Sequence, residues 1–455
     1  MPLTARRNVA LGLADAMLAG EPEQASACER CVDALGGCAR WVAPLVREMV
    51  DRFAHGWRDA ARRELADAIA ASPTFERAWN GSRRPRLRSV PVTPPRMAPL
   101  PDALAGCVVP DLPTPADIAR WLGLSIDELA WLTGPLGQPP REGAQALHYS
   151  YRWLPKRMGG VRLLETPKAR LRAIQRRVLH RLLEYVPPHE AVHGFRPRHS
   201  CVTNARPHVG QAVVMRMDLA DFFASVGGGR VYAFFISLGY PVAAARVFTR
   251  LTTTATTRQA WSAENLQGIA GERDLPDWQT RKRLASPHLP QGAPTSPMLA
   301  NLCAFSFDMR VQALAETFGV QYTRYADDLT FSGGEVLARR SAVFEANVSA
   351  IALEEGFRVN HRKTRVMRAA VRQSVTGVVV NRTPNVPREQ YDRLKATLHN
   401  CLQRGVATQC AADPGELRNR LAGHIAHLAA IHPVRAARLR GMFERIRWEE
   451  GVAAT

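Results

Sequence analysis

The stretch YTRYADDLTFSG, Tyr322 to Gly333, sets two carboxylates, Asp327 and Asp328, side by side between β-branched and aromatic residues. Tyr322 and Tyr325 ahead of the pair, and Leu329, Thr330 and Phe331 behind it, read as two strands around a tight turn. Adjacent acids repel, and such a turn taken alone would simply expose both to water. A third acid argues otherwise. In VVMRMDLADFF, Asp218 ends an apolar strand, where a charge is costly unless something offsets its desolvation. A divalent cation would do so. Asp218 and Asp327 on neighbouring antiparallel strands would converge on a pair of Mg²⁺ ions, which activates an attacking hydroxyl, stabilises a leaving pyrophosphate and holds a triphosphate in line.

The elements that must position these acids lie in a chain of 455 residues, long enough for two or three domains. Lys+Arg 61 against Asp+Glu 41 leaves a net charge of +20, which argues for a polyanionic partner. No apolar run reaches the roughly 18 residues of a membrane span, and the N-terminus lacks the pattern of a secretion signal. Nucleic acid is the partner expected, with no membrane, in a reducing cytoplasm. The charge is concentrated: Tyr149 to Arg216 carries 14 Lys+Arg against 3 Asp+Glu, and His361 to Thr455 carries 17 against 7. Eight scattered cysteines read as free thiols. Cys28, Cys31 and Cys38 have only His55 as a fourth zinc ligand, so helix packing is the better account.

Residues 1–90 read as a helical N-terminal extension and 91–115 as a Pro-rich linker. Thr114-Pro115-Ala116-Asp117 signals a helix start, and IARWLGLSIDELAWL reads as a helix pair. Asp127 and Glu128 on the second helix favour packing over DNA binding. From about residue 147 strands and helices alternate irregularly, as in an α+β domain. Thr249 to Leu289 reads as a loop-rich insertion, and Val375 to Asn381 as a short strand with a glycine bend.

In this order, MDLADFF, LPQGAPTSPMLANL and YADD resemble the palm motifs of reverse transcriptases. KRMGGVRLLETP and HGFRPRHS upstream, and GFRVNHRKTRVM downstream, resemble the flanking motifs of that family, so the likeness spans roughly Trp153 to Asn381. NARPH, Asn204 to His208, and VTG, Val375 to Gly377, resemble signatures of the retron reverse transcriptases, and NVPREQYDRLKATLHN is similar to the start of their RNA-binding thumb. The resemblance implies a right-hand polymerase fold, with an antiparallel palm sheet and fingers and palm in 116–381, and a helical thumb in 382–455. It implies an RNA-directed DNA polymerase that copies part of a cognate noncoding RNA into a small DNA, often joined to the RNA through a 2′-5′ branch, in systems implicated in phage defence. An effector protein is a further implied partner.

The same resemblance assigns roles. Asp218, Asp327 and Asp328 would hold two Mg²⁺ ions, Asp328 being the least secure as a direct ligand because neighbours on a strand diverge. Phe223, with Phe222 as a rival, would sit under the sugar of the deoxynucleoside triphosphate and exclude a 2′-hydroxyl. Lys156 and Arg162 would meet the triphosphate, Gln291 and Gly292 would approach the nucleotide through the backbone, and Lys363 would stand near the leaving pyrophosphate. Asn204 and His208 would touch the template or priming ribose or be buried structural groups. Val375, Thr376 and Gly377 would grip the primer strand or RNA or form a sheet edge, and Arg388, Arg393 and Lys395 would meet an RNA stem, where Tyr391 either stacks on a base or packs. Rival readings are a reverse transcriptase of a group II intron, a diversity-generating element or an abortive-infection system, and a catalytically silent RNA-binding protein on the same fold.

Overall fold

Alanine and leucine at helical spacing give the N-terminal segments one buried stripe each. The computed structural model describes residues 2–19, 23–37, 39–53, 62–89, 95–134, 148–156, 160–262, 265–266, 275–410 and 413–448. Cys38 and His55, named with the other cysteines above, lie outside them. The chain divides into two compact units, residues 1–129 with 235–248, and residues 130–234 with 249–455.

In the first unit, helices Pro2–Leu18, Gln24–Leu35, Val42–Arg52, Arg62–Ala71 and Pro73–Asn80 enclose a core that includes Leu13, Met17, Cys31, Leu45, Met49, Ile69 and Phe75. The Cys31 thiol belongs to this core, where burial pushes it up to about 12. Ser72 starts the fifth helix by accepting from the Thr74 and Phe75 amides at 3.1 and 3.3 Å. The described part of the Pro-rich stretch is bonded into this unit: the Ala98 amide donates to the Gly239 carbonyl (2.8 Å) and Tyr240 Oη to the Pro110 carbonyl (3.1 Å). Thr114 and Asp117 form a reciprocal cap on helix Pro115–Leu122, which ends at Gly123 with φ 65°.

The second unit mixes helices with antiparallel sheets. Strand β1 (Tyr149–Pro155) pairs with β2 (Val161–Pro167). Strands β3 (Val213–Asp218), β4 (Gln321–Tyr325), β5 (Asp328–Gly333) and β6 (Arg365–Arg368) make one sheet in the order β4-β5-β3-β6, every pair antiparallel. Central β3 is nearly all apolar because it is covered on both faces: Val213, Val214, Met215 and Met217 are all buried. Val375 to Asn381 forms two strands where one was expected. β7 (Ser374–Val375) and β8 (Val378–Val379) close a hairpin through Thr376 (φ 46°) and Gly377 (φ 86°), the positive pair that a two-residue turn requires. Val375, Val378 and Val380 share a core with Leu394, Leu398, Leu421, Ile425 and Leu428 of the C-terminal helices Arg388–Arg404 and Pro414–Ile431. Among the described residues no helix is long and apolar enough to cross a membrane.

Candidate active site

The hairpin between β4 and β5 turns on Ala326 and Asp327, with Tyr325 paired to Asp328 and Ala326 at φ 57°. Because β3 lies beside β5 in antiparallel register, Asp218 stands directly opposite Asp328. The turn is held from behind. Gly194 approaches so closely that a Cβ there would lie 2.7 Å from the Ala326 nitrogen, which is why HGF carries glycine at that place. Its carbonyl accepts from Asn301 Nδ2 at 2.8 Å. Arg324, with no exposed surface, donates to both oxygens of Asp308 (2.7 and 2.6 Å), to Asn301 Oδ1 (3.0 Å) and to the Ala326 carbonyl (3.0 Å).

In front of the turn lies a cleft of about 350 Å³ lined by Asp218 and Asp327, by the cations Lys156, Arg162 and Lys363, and by Phe223 and Gln291. Burial, and then the neighbouring Asp218 and Asp328 carboxylates, push Asp327 up to about 6. Burial also raises Asp218, although the Lys363 ammonium sits 2.8 and 3.0 Å from its two oxygens. Asp328 diverges from Asp327, as successive strand residues do, and meets Arg216 Nη2 at 3.1 Å. Among the described residues no three His, Cys, Asp or Glu side chains close around a common point as a ready-made metal site. The donor set nevertheless suits a hard cation: three carboxylates crowd one strand end and raise Asp327, so added positive charge is stabilising there.

The cleft distinguishes the two phenylalanines of MDLADFF. Phe222 is buried against Phe357, with ring centroids 5.7 Å apart, whereas Phe223 is half-buried beside Phe195, an exposed residue of the HGFRPRHS motif at φ 58°. Gly292 follows Gln291 at φ 132°, and a Cβ there would lie 3.0 Å from the Glu165 carbonyl, so the loop lies hard against β2.

Other expected contacts are elsewhere. His208 has no exposed surface, and its ring nitrogens lie 2.6 Å from Ser332 Oγ and 2.8 Å from Thr323 Oγ1, beneath the hairpin strands. Asn204 is equally buried, and its amide donates to Thr376 Oγ1 at 3.4 Å, while Thr376 donates to the Cys201 carbonyl. Of the two readings given for NARPH, the burial of both side chains favours the structural one. Val375 is likewise buried. Arg388, Arg393 and Lys395 are exposed on helix Arg388–Arg404, and Arg393 lines a separate cleft with Arg420 and His424. Tyr391 is covered by the Arg435 guanidinium, 4.9 Å from the ring centre.

The sequence reading passed over a buried pair in the cleft wall. Glu165 Oε2 lies 2.7 Å from His288 Nε2, Thr256 Oγ1 donates to Glu165 Oε1 (2.8 Å), and the Glu165 amide donates to the Gln291 carbonyl (2.9 Å). The signal was there: Glu165 occupies the inward parity of β2 with Val161 and Leu163, where a carboxylate needs a partner. Burial alone would lower the His288 imidazole, but the Glu165 carboxylate outweighs it and holds the group above its ordinary value of about 6.5. A raised value contributes stability that is full below about 6.5 and is lost as pH rises through the folded-state value. The melting temperature of the wild type is therefore expected to fall across that window relative to Glu165→Gln. Parallel melting curves against pH for the two proteins would count against the pair being charged.

Strand β3 and the β4–β5 hairpin, antiparallel neighbours, bring acids to a cation-lined cleft, and residues 154–380 match the family described as reverse transcriptase (RNA-dependent DNA polymerase). The chain is thus an RNA-directed DNA polymerase. It is 39% identical over 349 residues to the retron Mx65 reverse transcriptase of Myxococcus xanthus, covering 75% of this chain and 74% of that one. It is 38% identical to the retron Mx162 reverse transcriptase of the same organism, over 62% of this chain and 58% of that one. To the retron Ec86 reverse transcriptase of Escherichia coli it is 32% identical, over 53% and 65%. The chain belongs to the retron reverse transcriptases.

Proposed function

We propose that the protein copies part of a cognate structured noncoding RNA into a small single-stranded DNA that stays attached to it, through a 2′-5′ branch at the priming ribose. The observation that carries this reading is the cleft itself, which Asp218 and Asp327 line together with Lys156, Arg162, Phe223, Gln291 and Lys363. Fingers and palm would occupy 116–381 and the thumb 382–455, with the extension 1–90 and the linker 91–115 ahead of them. Asp218, Asp327 and Asp328 would hold two Mg²⁺ ions. When bound, these would activate the attacking hydroxyl and neutralise charge on the departing pyrophosphate. Lys156 and Arg162 would orient the triphosphate, and Lys363, already bonded to Asp218, would stand beside the leaving group. Gln291 and Gly292 bring backbone close to the incoming deoxynucleotide. Arg388, Arg393 and Lys395 on the thumb would take the phosphates of an RNA stem. The VTG turn at Val375, Thr376 and Gly377 would brace the thumb against the palm beside the primer.

Phe223 would lie under the sugar. Phe223→Ala is expected to relax discrimination against ribonucleotides by about 10- to 100-fold, the usual worth of one steric contact in a pocket. Single-nucleotide incorporation with dNTP and rNTP measures it; an unchanged ratio would take the gate away from this ring.

The test of the whole reading is expression of the gene with its flanking intergenic DNA, followed by a search for RNase-resistant small DNA. A species shifted by a debranching enzyme, and absent from Asp327→Asn, is expected. If none forms while the purified protein still extends a primer on RNA, the enzyme works without a branched product. A place in phage defence, with an effector partner, would be overturned by unchanged plaque counts across a broad phage panel after deletion of the locus.

A further inference from the structure

Aromatic and cationic side chains gather along one segment between the cleft, which Pro276, Thr280 and Leu284 line, and solvent. Trp153 lines the cleft and donates from Nε1 to the Ala260 carbonyl at 2.8 Å. Its ring lies 5.0 Å from that of Trp261, the Arg281 guanidinium stands 5.5 Å from the Trp261 ring centre, and one residue on, the Lys282 ammonium lies 5.1 Å over Trp278. Trp278 is 69% exposed. An indole so open to water gains nothing for the fold, and a cation over one face leaves the other free.

The helix that carries Trp278 and these cations, Trp278–Leu284, is fixed to the catalytic segment. Asp277 caps it by accepting from the Thr280 amide (2.7 Å), and Thr280 Oγ1 donates to Asp221 Oδ2 (3.0 Å). Arg283 Nη1 donates to Ser225 Oγ (3.4 Å), and Arg358 Nη1 to Gln279 Oε1 (2.5 Å). The helix therefore keeps its position relative to Asp218. Arg281, Lys282 and Arg283 form a basic run with two nearby acids, Asp277, taken up in the cap, and Asp221, which accepts from Thr280.

Rings and cations set side by side suit a strand that offers both flat bases and phosphates, and its bases are open to stacking only where they are unpaired. The geometry points to this surface as the track that carries single-stranded template RNA toward the cleft, Trp278 stacking on a base upstream of the one being copied. The assignment rests on the polymerase reading and names the strand that meets this surface.

The test uses the full chain with two primer–template pairs, one with a long unstructured 5′ template overhang and one with a single-nucleotide overhang, comparing wild type, Trp278→Ala and Trp278→Phe. Trp278→Ala is expected to weaken the apparent affinity for the long overhang about tenfold, to leave the short one unchanged, and to be largely rescued in Trp278→Phe. Equal affinity of wild type and Trp278→Ala for the long overhang would overturn the track. So would an equal loss on both substrates, which would mean that the residue acts through the fold of the cleft. A wild-type chain that extended neither substrate would overturn the polymerase reading beneath it.

Discussion

Asp327→Asn is expected to lower templated DNA synthesis by about a thousandfold or more and to leave the protein at least as stable as before. The first half follows from position: Asp327 is buried at the hairpin turn and shares the cleft with Asp218 and the three cations. Losing a carboxylate that would hold the cations stabilising charge in phosphoryl transfer adds several kcal/mol to the barrier, and about 1.4 kcal/mol is a factor of ten. The second half follows from crowding. Three carboxylates repel one another at this strand end, so an uncharged side chain of the same shape relieves repulsion, and the Leu219 amide still donates to the residue 327 carbonyl at 2.9 Å. Primer extension paired with thermal melting checks both. Activity within tenfold of wild type would remove Asp327 from the chemistry, and a lowered melting temperature would make the loss structural. Asp328→Asn is expected to cost less activity, because Asp328 turns away to Arg216.

The hairpin was legible because its signals are local. Aromatic and β-branched residues flank a two-residue turn, and the acids stand next to one another in the chain. Asp218 was legible for a different reason, as a charge at the end of a strand too apolar to tolerate it. The Glu165–His288 pair was not read, although half of its signal was present, because the partner lies 123 residues away and no spacing rule links them. His208 was left open between contact with the nucleic acid and a buried structural place, and only the sheet packed over it reveals that Thr323 and Ser332 enclose its ring. The Val375–Asn381 hairpin was read as one strand because strands of two residues leave too short a pattern for periodicity to divide. Trp278, an exposed ring on a short helix, had no pattern around it at all, since what gives it meaning is the Lys282 ammonium over it and the cleft that Thr280 of the same helix lines.

Arg324→Met is expected to destabilise the protein by about 3–5 kcal/mol, the cost of leaving one partner of a buried ion pair uncompensated. Asp308 would then keep a hydrogen bond from Tyr322 Oη (2.7 Å) and lose both guanidinium bonds in a fully buried place. Removing both charges together should recover much of that loss, because Arg324→Met with Asp308→Leu replaces a desolvated pair by apolar contacts beside Phe222, over whose ring the guanidinium now sits at 5.4 Å. Denaturant midpoints of the two single variants and the double close this cycle. Activity should not follow stability. Arg324 also donates to the Ala326 carbonyl and, through Asn301, connects the hairpin turn to the Gly194 segment. The double variant is therefore expected to be stable and slow, with kcat reduced more than the KM for dNTP, because the carboxylate at the turn is less well placed while the cleft remains. A double variant with full activity would make the network purely structural, and one as unstable as Arg324→Met alone would mean that the fold requires the charges themselves.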